Sequence, residues 1–323
     1  MKCSPADSNL ALKNQRLKRL IYVAAALLLL VVTAFGGYYY WDRYVHVGDR
    51  SPLEMGAARM EAAVRENPQD VEARLALAQY YFDSGGYAAA IELSEEILDA
   101  YPDEDGALLI AGVSYAMSDQ PKAAAEALGR FADRRAGAAM WGSDRMLETA
   151  LYFLGESRNR MNQPDLAIEA LNRALQIDRA DADALYQLGM AYELKGAPAL
   201  ALAQYHKATR FVPDFSEAYQ GMISSYTALG QPAHAAYARG MEGFCRRDYE
   251  RARVELEWAI GELPYFPPAA LGLGLVHEKM GDLTTAEAYL ARALELDPDD
   301  FMISNALERV QLGLGKSSEA AAP

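Results

Sequence analysis

At 323 residues the chain is long enough for two ordinary domains, and Ala, Leu, Glu, Arg and Tyr dominate it, as a helical array requires. Its formal net charge is −14, but residues 1–50 carry seven Lys/Arg against three Asp/Glu, leaving 24 basic against 42 acidic groups for the rest. So acidic a body argues against nucleic acid as a partner, because phosphate binding needs the opposite sign. The two cysteines, Cys3 and Cys245, stand on either side of an apolar segment, and Cys245 reads as a small buried apolar residue.

Residues 1–19 are polar and hold Lys2, Lys13, Arg16, Lys18 and Arg19 against Asp7. Residues 20–41, LIYVAAALLLLVVTAFGGYYYW, hold no charge. At about 1.5 Å per residue they reach roughly 33 Å, enough to cross a hydrocarbon core. Tyr38, Tyr39, Tyr40 and Trp41 supply an aromatic edge suited to the water interface. This predicts a single-pass transmembrane helix in a bacterial inner membrane, with the basic N-terminus cytoplasmic and the body extracytoplasmic. A cleaved signal peptide is the alternative, since Ala34 and Gly36 place small residues near the end of the run. A polar linker at 42–52 follows. A helix over 53–66, closed by Asn67-Pro68, predicts a capping half-repeat at 53–70.

From 71 onward a 34-residue period sets in. In the unit 182–215, Leu185, Leu188, Gly189 and Tyr192 share one helix face, and Ala201, Tyr205 and Ala208 share another. Lys195-Gly196-Ala197-Pro198 turns the chain between them, and Pro213 closes the unit. The unit 148–181 repeats this with Leu151, Leu154, Gly155, Ala167, Leu171 and Ala174. The unit 267–300 has Leu273, Gly274, Ala286, Leu290, Ala293 and Pro298. The pair at 71–138 has Leu77, Ala78, Tyr81, Ala90 and Pro102, then Leu108, Gly112, Tyr115, Ala124 and Leu128. Small residues at fixed places let helices approach closely, and large ones fill the space around them.

Two stretches break the period. Residues 139–147 are additional, with a turn at Gly142-Ser143-Asp144, and Trp141 is expected to pack under the loop. In 216–266 three helices occupy the place of pairs. Pro232 and Ala235 mark 233–246 as a second helix, yet Gly240, Leu256, Ala259 and Pro264 make it the first of another pair. Residues 301–314 predict a capping helix, and 315–323 a disordered tail.

The recurrence of a large apolar residue, Leu-Gly, Tyr, Ala, a large residue, Ala and Pro over about 71–300 resembles the tetratricopeptide repeat family. The resemblance implies an all-α tetratricopeptide-repeat superhelical solenoid, preceded here by the single N-terminal transmembrane helix. It also implies a concave groove that binds peptides or protein segments. The family's groove places fall on Leu75, Gln79 and Phe82, on Leu109 and Val113, and on Tyr152, Glu156 and Asn159. They continue through Asp183, Tyr186, Met190 and Glu193, then Tyr237, Met241 and Phe244, and end at Leu271 and Leu275. Members that clamp acidic C-termini use Lys, Arg and Asn where this chain has Leu75, Gln79 and Ile110, so a cationic or apolar partner segment fits better. The segment 52–91 is also similar to repeat domains of cytochrome c maturation proteins, which implies an apocytochrome as one occupant. A purely structural subunit of a membrane complex is the other alternative.

His46, His206, His234 and His277 lie in different units without metal-ligand spacing, and His277 is expected to be a packed histidine. Gly240-Met241-Glu242-Gly243 is a helical small-residue pattern, not a phosphate loop. The expectation is a non-enzymatic scaffold for a protein or peptide partner, without cofactor, metal or small-molecule substrate.

Overall fold

The computed structural model describes residues 28–39, 52–137 and 141–320. Residues 28–39 are helical with exposed side chains. Among the described residues no helix is long and apolar enough to cross a membrane, and the rest of the 20–41 run lies outside them. The described chain divides into two units, one ending at Asn67 and one beginning at Pro68. The first contains α1 (Pro52–Glu66).

The second unit is helical throughout its described residues. Hairpins form from α2 (Val71–Asp83) with α3 (Tyr87–Ala100), and from α4 (Asp105–Met117) with α5 (Pro121–Arg135). They continue with α6 (Arg145–Arg160) and α7 (Pro164–Ile177), then α8 (Ala182–Leu194) and α9 (Pro198–Phe211). Next come α10 (Ser216–Ala228), α11 (Pro232–Cys245) and α12 (Tyr249–Glu262). The unit ends with α13 (Pro267–Met280), α14 (Leu283–Leu296) and α15 (Phe301–Ala320).

Helix ends are set by local chemistry. Three first helices, α2, α4 and α8, begin at acidic caps: Asp70, Glu104 and Asp181 accept the amides of Ala73, Ala107 and Ala184 at 3.0, 2.8 and 3.0 Å. Several second helices open on proline, whose missing N–H would be unsatisfied there anyway. Each turn from a first to a second helix places one residue in the left-handed region, glycine at Gly196 but Asp119 and Asn162 elsewhere.

Between hairpin partners one contact recurs. A Cβ built on Gly112, Gly155, Gly189, Gly240 or Gly274 would fall less than 3 Å from Leu128, Leu171, Tyr205, Leu256 or Leu290, respectively. Each large side chain fills the hole left by a missing Cβ, sixteen residues earlier on the facing helix. Tyr205 is held from both sides, since a Cβ on Gly221 of α10 would also strike its ring. Its hydroxyl donates to Glu193 at 3.1 Å, and Glu193 also accepts Ser225 Oγ at 2.6 Å.

The first helices α2, α4, α6, α8 and α10 touch in sequence, and then the row passes to α11, α13 and α15. Helix α11 is therefore second to α10 and first to α12. The turns on both sides of it are of the left-handed kind, at Gly230 and Arg247. It is buried on nearly every side, from Ala233 to Gly243.

Residues 141–143 form a short 3₁₀ turn; Trp141's side chain and residues 139–140 lie outside the described residues. Arg135 bridges this insertion to the preceding hairpin through Asp144 at 2.6 Å and Asp105 at 3.3 Å. The last helix continues past the expected end at 314 to Ala320, and residues 321–323 of the expected tail lie outside the described residues. Residues 316–320 contain no proline and include the helix-favouring Lys, Glu and Ala.

Gly189→Ala forces a methyl group into the fully buried Tyr205 ring. Overpacking of this kind costs about 1–3 kcal/mol, offset by about 1 kcal/mol of gained helix propensity. Denaturant unfolding should show a net loss of stability, and Gly189→Ala with Tyr205→Leu should recover more than additivity allows. An unchanged midpoint for the single variant would show that the ring yields freely.

Candidate functional site

The residues assigned to a groove from the sequence separate into three groups. Val113, Asn159, Tyr237 and Met241 are buried and line no open surface. Val113 sits where α4 packs into the core shared with α6, and Asn159 donates through Nδ2 to the main-chain and side-chain oxygens of Gln187 at 2.8 and 3.0 Å. Tyr237 and Met241 are enclosed because α11 serves two hairpins at once. A second group packs along its edges. Leu75 and Phe82 lean on the Ala78–Ile110 cluster, Leu109 on the α4–α6 core, and Phe244 lies 5.9 Å from the Tyr249 ring. Leu271 and Leu275 pack beneath α15. Gln79 is exposed and donates to Asp83 at 2.8 Å, and Glu193 is engaged by Tyr205 and Ser225.

What remains is a strip on α6 and α8: Tyr152, Glu156, Asp183, Tyr186 and Met190, all exposed or half-buried. Tyr152 lies edge-on to Phe153 at 5.0 Å; Tyr186 packs on Tyr205 and Phe215 at 5.8 and 5.3 Å, leaving part of the ring free. Three acids join the strip that the sequence reading did not name: Glu148, Asp181 and Glu217. Glu217 occupies the same place in its unit as Asp183, so the 34-residue period contained that signal.

The strip carries a strong negative field. Burial, then the hydrogen bond and charge of Asp181, push Glu148 up to about 7, against the opposing pull of Arg145. Burial raises Glu156, with Arg160 opposing, and burial, Asp181 and Glu217 raise Asp183. The hydroxyls of Tyr152 and Tyr186 rise with burial and the surrounding carboxylates. The nearby cations are committed elsewhere: Arg145 pairs with Asp178 at 3.0 Å, and Arg160 with Asp119. Such a surface favours any group that brings positive charge.

Among the described residues no three His, Cys, Asp or Glu side chains are placed to hold a metal. His206 bonds the Tyr226 hydroxyl at 2.8 Å, His234 stacks on the same ring, and His277 stacks on Tyr289. Cys245 is half-buried, and burial pushes its thiol up to about 11.

Four family models match the chain: tetratricopeptide repeats at 55–105, 183–214 and 246–310, and a TPR repeat at 155–196. The repeats are tetratricopeptide repeats. The cellulose synthase 2 operon protein C of Komagataeibacter xylinus is 25% identical over 158 residues, 49% of this chain but 12% of its own length. The solved structure of YrrB, a TPR protein with an unusual peptide-binding site, is 22% identical and covers 61% of this chain and 96% of its own. Its TM-score of 0.50 is a likeness of fold. A crystal structure of MamA is 26% identical over 54% of this chain and 97% of its own, with a TM-score of 0.47.

The Glu148 environment sets a pH dependence. A carboxyl raised from 4.5 to about 7 stays protonated in the folded chain where the unfolded chain has ionised, so its contribution is lost as pH rises between those values. Glu148→Gln keeps a donor toward Asp181 and removes the loss. Thermal unfolding should show the variant more stable than the parent at pH 8, by on the order of 1 kcal/mol after solvent screening, and little changed at pH 4. A gain at pH 4 with none at pH 8 would refute the assignment.

Proposed function

We propose that the chain is a protein-interaction scaffold whose first-helix strip on α6, α8 and α10 holds a partner segment bearing basic and apolar side chains. The observation that supports it most is a set of carboxylates raised together: Glu148 and Asp183 by burial and by neighbouring acids, Glu156 by burial, against only a partial pull from Arg145 and Arg160, whose ion pairs are made elsewhere. A partner's Lys or Arg relieves that repulsion, and Tyr152, Tyr186 and Met190 offer apolar contact beside it. Because Tyr186 also packs on Tyr205 and Phe215, its truncation mixes binding with folding, so charge variants make the cleaner test. With the full-length protein, a labelled peptide of alternating Lys and Leu should bind at least tenfold more weakly to Glu156→Gln with Asp183→Asn, about 1.4 kcal/mol. The parent's binding should weaken as pH falls from 8 to 6 and Glu148 takes up its proton. Undiminished binding by the double variant places the contact elsewhere.

The reading includes a membrane anchor at 20–41 with the repeats outside the cytoplasm. Its support is the uncharged run behind five basic residues, and the exposed apolar side chains of Leu28, Leu29, Val31, Val32 and Phe35 on a helical stretch. The Thr33 hydroxyl donates back to the Leu29 and Leu30 carbonyls, so it is satisfied within the helix, as a hydrocarbon environment requires. A reporter fused after Pro323 should be active outside the cytoplasm, and mass spectrometry of the mature protein should find residues 1–50 retained. A reporter active only in the cytoplasm overturns the topology, and loss of the segment overturns the anchor.

A further inference from the structure

The second helices stand farther apart than the first, and clefts open between them with a first helix as floor. Three occur in succession: α3–α5 over α4, about 530 Å³; α5–α7 over α6, about 320 Å³; and α7–α9 over α8, about 680 Å³. The first is rimmed by Glu95, Asp99 and Glu126 with Arg130, and Glu95 accepts the Tyr115 hydroxyl. The second has Asp133 and Glu169 with Arg173. The third differs in sign. Its charged rim is Arg179, Lys207 and Arg210, with no carboxylate. Where the first cleft has Glu95 and Asp99, the third has the amides Asn172 and Gln176 at the equivalent places, and Arg210 stands where α5 has Asp133.

In a chain of net charge −14 these three cations are kept unneutralised. None makes an ion pair among the described residues, and Lys207 reaches only Gln204 Oε1 at 3.3 Å. Of the other second-helix arginines, Arg134 pairs with Asp105 at 2.8 Å and Arg239 with Glu255 at 2.9 Å, while Arg173 and Arg292 donate to the main-chain carbonyls of Ala132 and Pro264 at 3.5 and 2.8 Å. Beneath the cations lies an apolar floor of Leu175, Leu185 and Leu188, edged by Phe211, which is 51% exposed.

We propose that this cleft is a second binding site, on the opposite row from the acidic strip, for an acidic protein segment that carries large apolar side chains. The guanidinium and ammonium groups take its carboxylates. Leu175, half-buried, and the exposed Phe211 take an apolar side chain. Asn172, Gln176 and Gln204 both donate and accept, which matches a peptide main chain. A free inorganic anion would leave the apolar floor unused, and a fatty acid would leave two cations and the amides unused.

The test uses the full-length protein and a labelled decapeptide of alternating Asp and Leu. Saturable binding should weaken at least tenfold in Lys207→Glu with Arg210→Glu, both exposed positions, while circular dichroism and binding of the Lys–Leu peptide stay unchanged. A decapeptide of alternating Asp and Ser should bind at least tenfold more weakly than the Asp–Leu peptide. Four results overturn the proposal: equal binding by the charge-reversed variant, equal binding of the Asp–Ser peptide, displacement by millimolar inorganic phosphate alone, or self-association in gel filtration that the variant abolishes, which would make a second copy the occupant. Failure of the Lys–Leu peptide alone would count against the acidic strip and leave this cleft untouched.

Discussion

A missing Cβ on one helix and a large side chain on the next hold five of the hairpins together. Where Gly189 faces Tyr205, or Gly155 faces Leu171, the axes come closer than any side chain at the glycine would permit. The gain is dense packing over a short interface, and the constraint is positional. A glycine in mid-helix lowers helix propensity, so the helix depends on the partner that fills its hole. Tyr205 carries the constraint furthest, because its ring lies between glycines of α8 and α10 while its hydroxyl meets Glu193, which also holds Ser225. One side chain thereby ties two successive hairpins.

The same contact explains the irregular region. The α10–α11 pair lacks it: at the corresponding places stand Ile223 and Arg239, and Arg239 turns instead to Glu255. The glycine reappears at Gly240, one helix later than the period would place it, and Leu256 of α12 fills it. The row of first helices therefore moves from α10 to α11, and α11 becomes the most enclosed helix of the array. An extra helix is accommodated because the left-handed turn that joins a first to a second helix works equally well twice in succession.

The two rows offer chemically different surfaces. Closely spaced first helices bring Asp181 and Glu217 near enough to raise the proton affinities of Glu148 and Asp183, Asp181 acting on both and Glu217 on Asp183. The more widely spaced second helices leave clefts whose charge is set locally, and only in the third do cations gather without acids among these three. An acidic strip on one row and a single cationic cleft on the other give an acidic protein two surfaces that do not compete for one ligand chemistry.

Much of this was legible in the sequence. The hairpins, their turns and the Gly–Leu and Gly–Tyr contacts follow from a 34-residue period and a 16-residue spacing, because helix geometry fixes which residues share a face. The extra helix was visible as a glycine out of phase. Other features required the folded chain. Which groove positions are open was decided by neighbours: α13 and α12 enclose Tyr237 and Met241, and α15 covers Leu271 and Leu275. The field of the strip depends on distances between carboxylates from three helices, which no single period contains. The cationic cleft lies between helices that never pair directly: Asn172, Leu175 and Gln176 share one face of α7 and Gln204, Lys207 and Phe211 one face of α9, but only the packed array sets those two faces opposite each other. Local geometry travels along the chain and can be read there, whereas exposure and potential are sums over neighbours that only the packed structure brings together.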